Sequence, residues 1–224
     1  MQKFVLDLGG SIIVAKESDS EFLKEIRELL IQQTKNKEFY IVIGGGWPCR
    51  EFNARAKAVR ELKNDELDWL GIKTTQLNAF FLATVLGEVA EQKIFTDPTD
   101  LPQTDKKIIL GGGWKPGNST DFVAVKVAEK QEVSVLVVLT NEDYVYDKDP
   151  RKFADAKPYK EMTWAELKAI VGDEWIPGTK TPFDPRACKL AEELGLKVVL
   201  MNGRNVDNFA SFLDGKDFIG TTIG

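Results

Sequence analysis

Short runs of apolar residues alternate along the chain with longer stretches in which apolar positions recur every three or four residues. The short runs, at residues 4–8, 39–43, 108–110, 133–139 and 197–201, show no polar alternation. Strands covered on both faces have that pattern, so these segments are predicted as buried strands. Between them, Phe22, Leu23, Ile26, Leu29 and Leu30 fall at helical spacing and give one apolar face. Ser18 and Glu21 ahead of them have the form of a capping box. Helices are also predicted over residues 49–63, rich in strong formers such as Ala54, Ala56 and Ala58, and over 66–86 and 120–130. Thr163 and Glu166 form a second capping box, and Asp184-Pro185 sets a cap residue before proline at a first helical position. Residues 209–213 are the core of a last helix. Residues 140–159 are polar throughout most of their length, and loops this long inside compact domains are usually functional.

Strands alternating with helices predict an α/β protein: a three-layer α/β/α sandwich around a mostly parallel open sheet. With no internal repeat and no low-complexity linker, residues 1–224 are expected to form one domain. In such sheets ligands bind beyond the carboxyl ends of the strands. Three of the predicted strands end in glycine clusters, at Gly9-Gly10, Gly44-Gly45-Gly46 and Gly111-Gly112-Gly113. Gly10, Gly45 and Gly112 are therefore expected on one sheet edge. Glycine at such a turn lets a ligand approach the backbone, and the next helix offers free N–H groups and a positive dipole end. One cluster is explained by a tight turn. Three on one edge match what a kinase needs, which is to hold a triphosphate and an acceptor close together and in line.

The third cluster continues as Trp114-Lys115-Pro116-Gly117-Asn118-Ser119-Thr120-Asp121. It joins a glycine-proline loop, a cation and two hydroxyls to a helix start, which suits an anion. A helix cap alone accounts for Ser119 or Thr120, but not for Lys115. The long loop carries Thr140, Asn141, Glu142, Asp143, Tyr144, Tyr146, Asp147 and Asp149. Its carboxylates suit Mg²⁺ directly or through water, and an aromatic can flank a base; a solvated acidic loop is the plain alternative.

Composition narrows the chemistry. The 224 residues include no histidine, which removes Ser-His-Asp catalysis and histidine zinc sites. No protein-held metal site is predicted. Cys49 and Cys188 form no CxxC pair and read as small, reduced, buried residues. Neither GxxxxGK[ST] nor GxGxxG occurs, which argues against a P-loop kinase and a Rossmann dehydrogenase. A net charge of -5 gives no general attraction to nucleic acid or anionic membrane. No signal-like or membrane-spanning run is present, so a cytoplasmic protein is expected.

In this order, the motifs resemble those of archaeal-type UMP kinases in the amino acid kinase superfamily. The resemblance runs from Asp7-Leu8-Gly9-Gly10-Ser11 to Gly220-Thr221-Thr222. It takes in Gly44-Gly45-Gly46 with Arg50, then Asp68 before Gly71-Ile72-x-x-Thr75-x-x-Asn78, the 112–121 loop, and residues 140–150. It implies the amino acid kinase fold, Mg²⁺ used with ATP, and transfer of the ATP γ-phosphate to UMP. It also implies a hexamer built as a trimer of dimers. Gly9, Gly10, Ser11, Gly46, Arg50, Thr140, Asn141, Tyr146 and Asp149 would surround ATP. Gly45, Asp68, Trp114, Lys115, Pro116, Gly117, Asn118, Ser119 and Thr120 would hold UMP. Residues of about 1–130 would be the acceptor-binding part and about 131–224 the nucleotide-binding part. Gly10, Ser11, Arg50 and Lys180 would serve catalysis.

Departures from the family pattern gather on the acceptor side: Trp114 and Lys115 replace its Thr and His, Asn118-Ser119 replaces His-Thr, Gln76 stands where arginine is common, and Trp47 follows the second glycine cluster. Bacterial members carry a lysine where Asp7 stands, so Arg50, Lys180 and Mg²⁺ are left to neutralise the transferring phosphate. Two alternatives stay open. One is a related kinase with another phosphorylated acceptor, although isopentenyl phosphate kinases rely on a histidine. The other is a nucleotide-binding or storage protein on the same scaffold.

Overall fold

The apolar runs become strands and the periodic stretches become helices in a computed structural model, which describes residues 1–17, 19–172 and 181–224. The strands are β1 (Gln2–Leu8), β2 (Lys37–Ile43), β3 (Ile108–Gly111), β4 (Val135–Thr140), β5 (Val145–Tyr146), β6 (Pro158–Tyr159), β7 (Glu161–Met162), β8 (Lys197–Asn202) and β9 (Thr221–Ile223). The helices are α1 (Gly10–Ile13), α2 (Ser20–Gln33), α3 (Gly46–Val59), α4 (Asn64–Leu86), α5 (Thr120–Gln131), α6 (Trp164–Val171), α7 (Pro185–Glu193) and α8 (Val206–Leu213).

Seven strands form one sheet in the order β3-β2-β1-β4-β8-β9-β7. The first five are mutually parallel, while β9 runs antiparallel to β8 and β7 follows β9. Side chains alternate between the two faces, as the strand period requires. Phe4, Leu6, Leu8, Phe39, Ile41 and Ile43 share a core with α2, α4 and α8. Val5, Tyr40, Val42 and Val138 share the other with α5, α6 and α7. The expected three-layer sandwich is what forms.

The differences from expectation are local. The helix expected over 49–63 is α3, which starts at Gly46 because Pro48 is tolerated in a first turn, and stops where Arg60 turns extended. The helix expected from residue 66 begins at Asn64, with the Glu66 carboxylate accepting the Lys63 N–H at 3.0 Å. Ser18 of the first capping box lies outside the described residues; the α2 cap is Asp19, whose carboxylate accepts the Phe22 N–H at 3.1 Å. Thr163 and Asp184 cap α6 and α7 as expected. The long polar stretch contains the antiparallel pair β5–β6.

Candidate active site

Parallel pairing of β1, β2 and β3 puts Leu8 beside Ile43 and Val42 beside Gly111. The three glycine clusters therefore emerge on one edge of the sheet. The first two interlock. A Cβ at Gly10 would lie 2.1 Å from the Gly44 carbonyl oxygen and 2.4 Å from the Gly46 nitrogen. Gly46 itself takes φ +62°, a left-handed conformation that glycine adopts without strain. The N-terminus of α3 opens directly from this contact, and that of α5 follows the third cluster.

Helix α4 holds two of these clusters from one side. The buried Asn78 amide donates to the carbonyls of Gly44, at 2.8 Å, and Gly45, at 3.1 Å. Three residues earlier, on the same helical face, Thr75 Oγ1 accepts the Gly113 N–H at 2.6 Å and donates to the Ile72 carbonyl at 2.7 Å. Gln76 donates to the Gly113 carbonyl at 3.0 Å. The Thr-x-x-Asn spacing was visible as a motif; that it braces two glycine loops needed the fold. Across the sheet edge, Asn141 at the end of β4 donates to Ser11 Oγ at 2.9 Å, joining the long loop to the first cluster.

In the 112–120 loop, Asn118 closes a turn by donating through its side chain to the Lys115 carbonyl at 3.1 Å. The Lys115 ammonium rests 3.8 Å from the Trp114 ring centre, a cation–π contact. The Asp97 carboxyl is held below its ordinary range first by its hydrogen bonds from Thr99, with the nearby Trp114 and Lys115 acting in the same direction. Asp68 of α4 accepts the Gly117 N–H at 2.8 Å. Ser119 is the α5 cap, accepting the Phe122 N–H at 3.1 Å, and Thr120 is the first helical residue. Ser119→Ala is therefore expected to lose about 1 kcal/mol of stability. Thr120→Ala leaves that cap intact. If the loop holds the acceptor's phosphate, Thr120→Ala raises the acceptor KM about 10-fold without lowering the melting point. Melts beside steady-state kinetics on the two variants separate the effects.

Asp7 is 3% exposed and faces the α5–α7 side of the sheet. Burial first, then the neighbouring Asp121 carboxylate, pushes its pKa well above the carboxylate range, which favours the protonated carboxyl beside Asp121. Its Oδ2 has no hydrogen-bond partner among the described residues. Asp121 accepts the Asp184 N–H at 2.7 Å, and the buried Cys188 thiol beside this pair is pushed up to about 12, chiefly by burial. The unfolded Asp7 carboxyl titrates near its ordinary 3.8, below its folded pKa. Its stabilising contribution is thus full below that value and is lost as pH rises toward the folded pKa. Asp7→Asn keeps a donor to Asp121 without a titrating proton. Its melting point relative to wild type should rise between pH 5 and pH 8.5; a difference independent of pH would show Asp7 to be ionised in the fold.

The remaining expected positions are distributed as follows. Arg50 is exposed one turn into α3 and forms no ion pair among the described residues. Thr140 ends β4, and its carbonyl accepts the Gly203 N–H at 2.8 Å. Tyr146 packs edge-on to Tyr144, with its phenol pKa raised first by burial and then by Asp143 and Glu142. The Asp149 carboxylate is engaged by Arg151 at 3.0 Å, which holds its pKa down. Lys180 lies outside the described residues. A cavity of about 670 Å³ opens at the opposite end of the sheet, lined by Phe4, Lys37, Val199 and Phe218 among others. It contains none of the glycine clusters, so the strand carboxyl ends remain the candidate site.

The sequence and the fold are similar to those of known proteins. The chain is 36% identical over 227 residues to the uridylate kinase of Methanobrevibacter smithii, covering 99% of this chain and 98% of that one. It is 34% identical over 224 residues to the uridylate kinase of Pyrococcus abyssi, covering 99% of each. The crystal structure of uridylate kinase from Archaeoglobus fulgidus superposes with a TM-score of 0.86 at 28% identity over all of both chains. UMP kinase from Bacillus anthracis shares the fold, with a TM-score of 0.78 at 21% identity, covering 100% of this chain and 96% of that one. Residues 2–202 match the model of the amino acid kinase family, and with the glycine-lined sheet edge in place the chain belongs to that family.

Proposed function

We propose that this protein is a kinase that transfers the γ-phosphoryl group of ATP to UMP, giving UDP and ADP. One observation carries the reading: three glycine clusters meet on one sheet edge, with the N-termini of α3 and α5 opening there, in a chain 32–38% identical to uridylate kinases. Phosphoryl transfer asks the protein mainly for positioning and charge neutralisation, which such an edge supplies. Gly9, Gly10, Ser11, Gly46, Arg50, Thr140, Asn141, Tyr146 and Asp149 form the ATP side. Gly45, Asp68 and the 114–120 loop form the UMP side. The first 130 or so residues then serve mostly the acceptor and the rest mostly the nucleotide.

Mg²⁺ enters with ATP in this proposal. Among the described residues no three carboxylate or thiol side chains converge as a metal cage. That residue set fits a cation held mainly by substrate phosphates, as Mg²⁺ commonly is. Asp143 and Asp147 are loop carboxylates with one oxygen each engaged, by the Asn202 amide at 3.0 Å and the Lys157 N–H at 2.8 Å, and the other oxygen open to it. When bound, the ion would neutralise charge on the transferring group; the chain's own part is to align the two nucleotides.

The proposal includes a cytoplasmic setting, where both substrates are made, and a homo-oligomer, with a trimer of dimers as the expected form. Exposed Trp69, Leu77, Phe80 and Phe81 give α4 an apolar outer side that supports self-association. A panel of nucleoside monophosphates with ATP, Mg²⁺ and coupled ADP detection tests the activity. UMP should turn over well above CMP, AMP and GMP. Equal or faster turnover of another monophosphate would overturn UMP as acceptor, and no turnover of any would favour a binding protein.

A further inference from the structure

Gly117 is held at both ends of its backbone. Its N–H donates to Asp68 of α4 at 2.8 Å, and its carbonyl accepts from the Arg186 guanidinium of α7. At φ +78° it has no side chain to add a hold of its own. Arg186 also lies over the Phe122 ring, 5.0 Å from its centre. Two residues before it, Asp184 caps α7, accepting the N–H groups of Arg186 and Ala187 at 2.6 and 2.9 Å. The Asp184 N–H in turn donates to Asp121 in the first turn of α5 at 2.7 Å. The base of Arg186 is therefore fixed against the same helix that the loop leads into.

We propose that Arg186 is a positioning residue for the acceptor, latching the 115–118 turn while the acceptor occupies Asp68. The inference rests on the acceptor-side assignment above. Sugar hydroxyls that donate to Asp68 share the carboxylate that already holds the Gly117 N–H. The Arg186 contact to the Gly117 carbonyl does not depend on that carboxylate, so it keeps the turn in place when the acceptor arrives. A guanidinium suits the task because it donates in its plane and stacks on Phe122 through its face. Lysine at this position keeps a donor and loses the planar stack.

Arg186→Ala and Arg186→Lys in the full chain test the latch by two readouts. Hydrogen–deuterium exchange over residues 113–118 should rise about 10-fold in the alanine variant, the effect of losing one charge-assisted hydrogen bond at an exposed site, with β3 and α4 unchanged. The UMP KM should rise about as much, with kcat and the ATP KM within about 2-fold of wild type. Arg186→Lys should fall between the two. Unchanged exchange would overturn the latch. Faster exchange with an unchanged UMP KM would overturn its role in acceptor positioning, as would a parallel rise in both KM values with a lower melting point. If wild type phosphorylates a different monophosphate, the UMP assignment fails, and the same KM comparison on that acceptor still decides Arg186. If no monophosphate is phosphorylated, the kinase reading and the acceptor role of Arg186 fail together.

Discussion

Gly10→Ala is expected to abolish phosphoryl transfer and to destabilise the protein by about 4 kcal/mol or more. The added methyl would lie 2.1 Å from the Gly44 carbonyl oxygen, 2.4 Å from the Gly46 nitrogen and 2.5 Å from the Gly44 carbonyl carbon. All three are backbone atoms, so no side chain can rotate away. The backbone at Gly10 is ordinary helical backbone, so crowding alone sets the cost. Relief requires the first two glycine clusters to separate. That would break the Asn78 bonds to Gly44 and Gly45 and open the proposed phosphate cradle. For a chain of this size the loss corresponds to a melting point lower by about 10 °C or more. Gly87→Ala is the contrasting case. Gly87 has φ +68° and ψ −139° but nothing within 4 Å of an added Cβ, so only backbone strain of about 2 kcal/mol is expected, with activity retained. A Gly10→Ala protein that melts within about 3 °C of wild type and keeps its kcat would show that the two loops do not interlock.

The strands were legible because β1, β2, β3, β4 and β8 are covered on both faces, which leaves uninterrupted apolar runs. Helix α3 was legible only in outline. It has no buried residue, so no apolar stripe marks where it starts. Strands β7 and β9 have two and three residues, too few for any period to show. They exist because β8 offers a free edge, where Thr221 pairs with Leu200 and Ile223 with Val198. The four-residue α1 likewise depends on its contact with the second glycine cluster.

The same division holds at the site. Glycines at strand ends announce themselves in a sequence, and so does a helix carrying Thr75 and Asn78 three residues apart. Asp7, Asp121 and Asp184 do not. Each alone reads as a strand-end, helix-start or cap carboxylate, and only the fold brings the first two side by side, where a charge on Asp121 raises the cost of ionising Asp7. Lys115 was expected to face a phosphate, and the structure seats it over Trp114. Arg186 gave no signal at all, because its partner Gly117 is 69 positions away.

Arg50→Ala is expected to lower kcat about 10²- to 10³-fold, the range for removing one preorganised donor from developing transition-state charge. The UMP KM should change less than about 3-fold, because the lost interaction is made with the transferring phosphate rather than with the resting acceptor. Stability should stay within about 0.5 kcal/mol of wild type, as Arg50 is exposed and lacks an ion-pair partner among the described residues. The expectation follows from what stands at the end of β1. Where bacterial members carry a lysine, this chain has a buried Asp7, a carboxyl that supplies no positive charge in either protonation state. The γ-phosphate of ATP must then find its cation on another element, and Arg50 follows the Gly44-Gly45-Gly46 turn by one helical turn. Arg50→Lys should recover part of the rate, since it restores the charge without the planar fork. An Arg50→Ala enzyme with wild-type kcat would remove Arg50 from the chemistry and shift the role to Lys180 or the metal. A Lys180→Ala variant assayed across a range of Mg²⁺ concentrations would then separate those two.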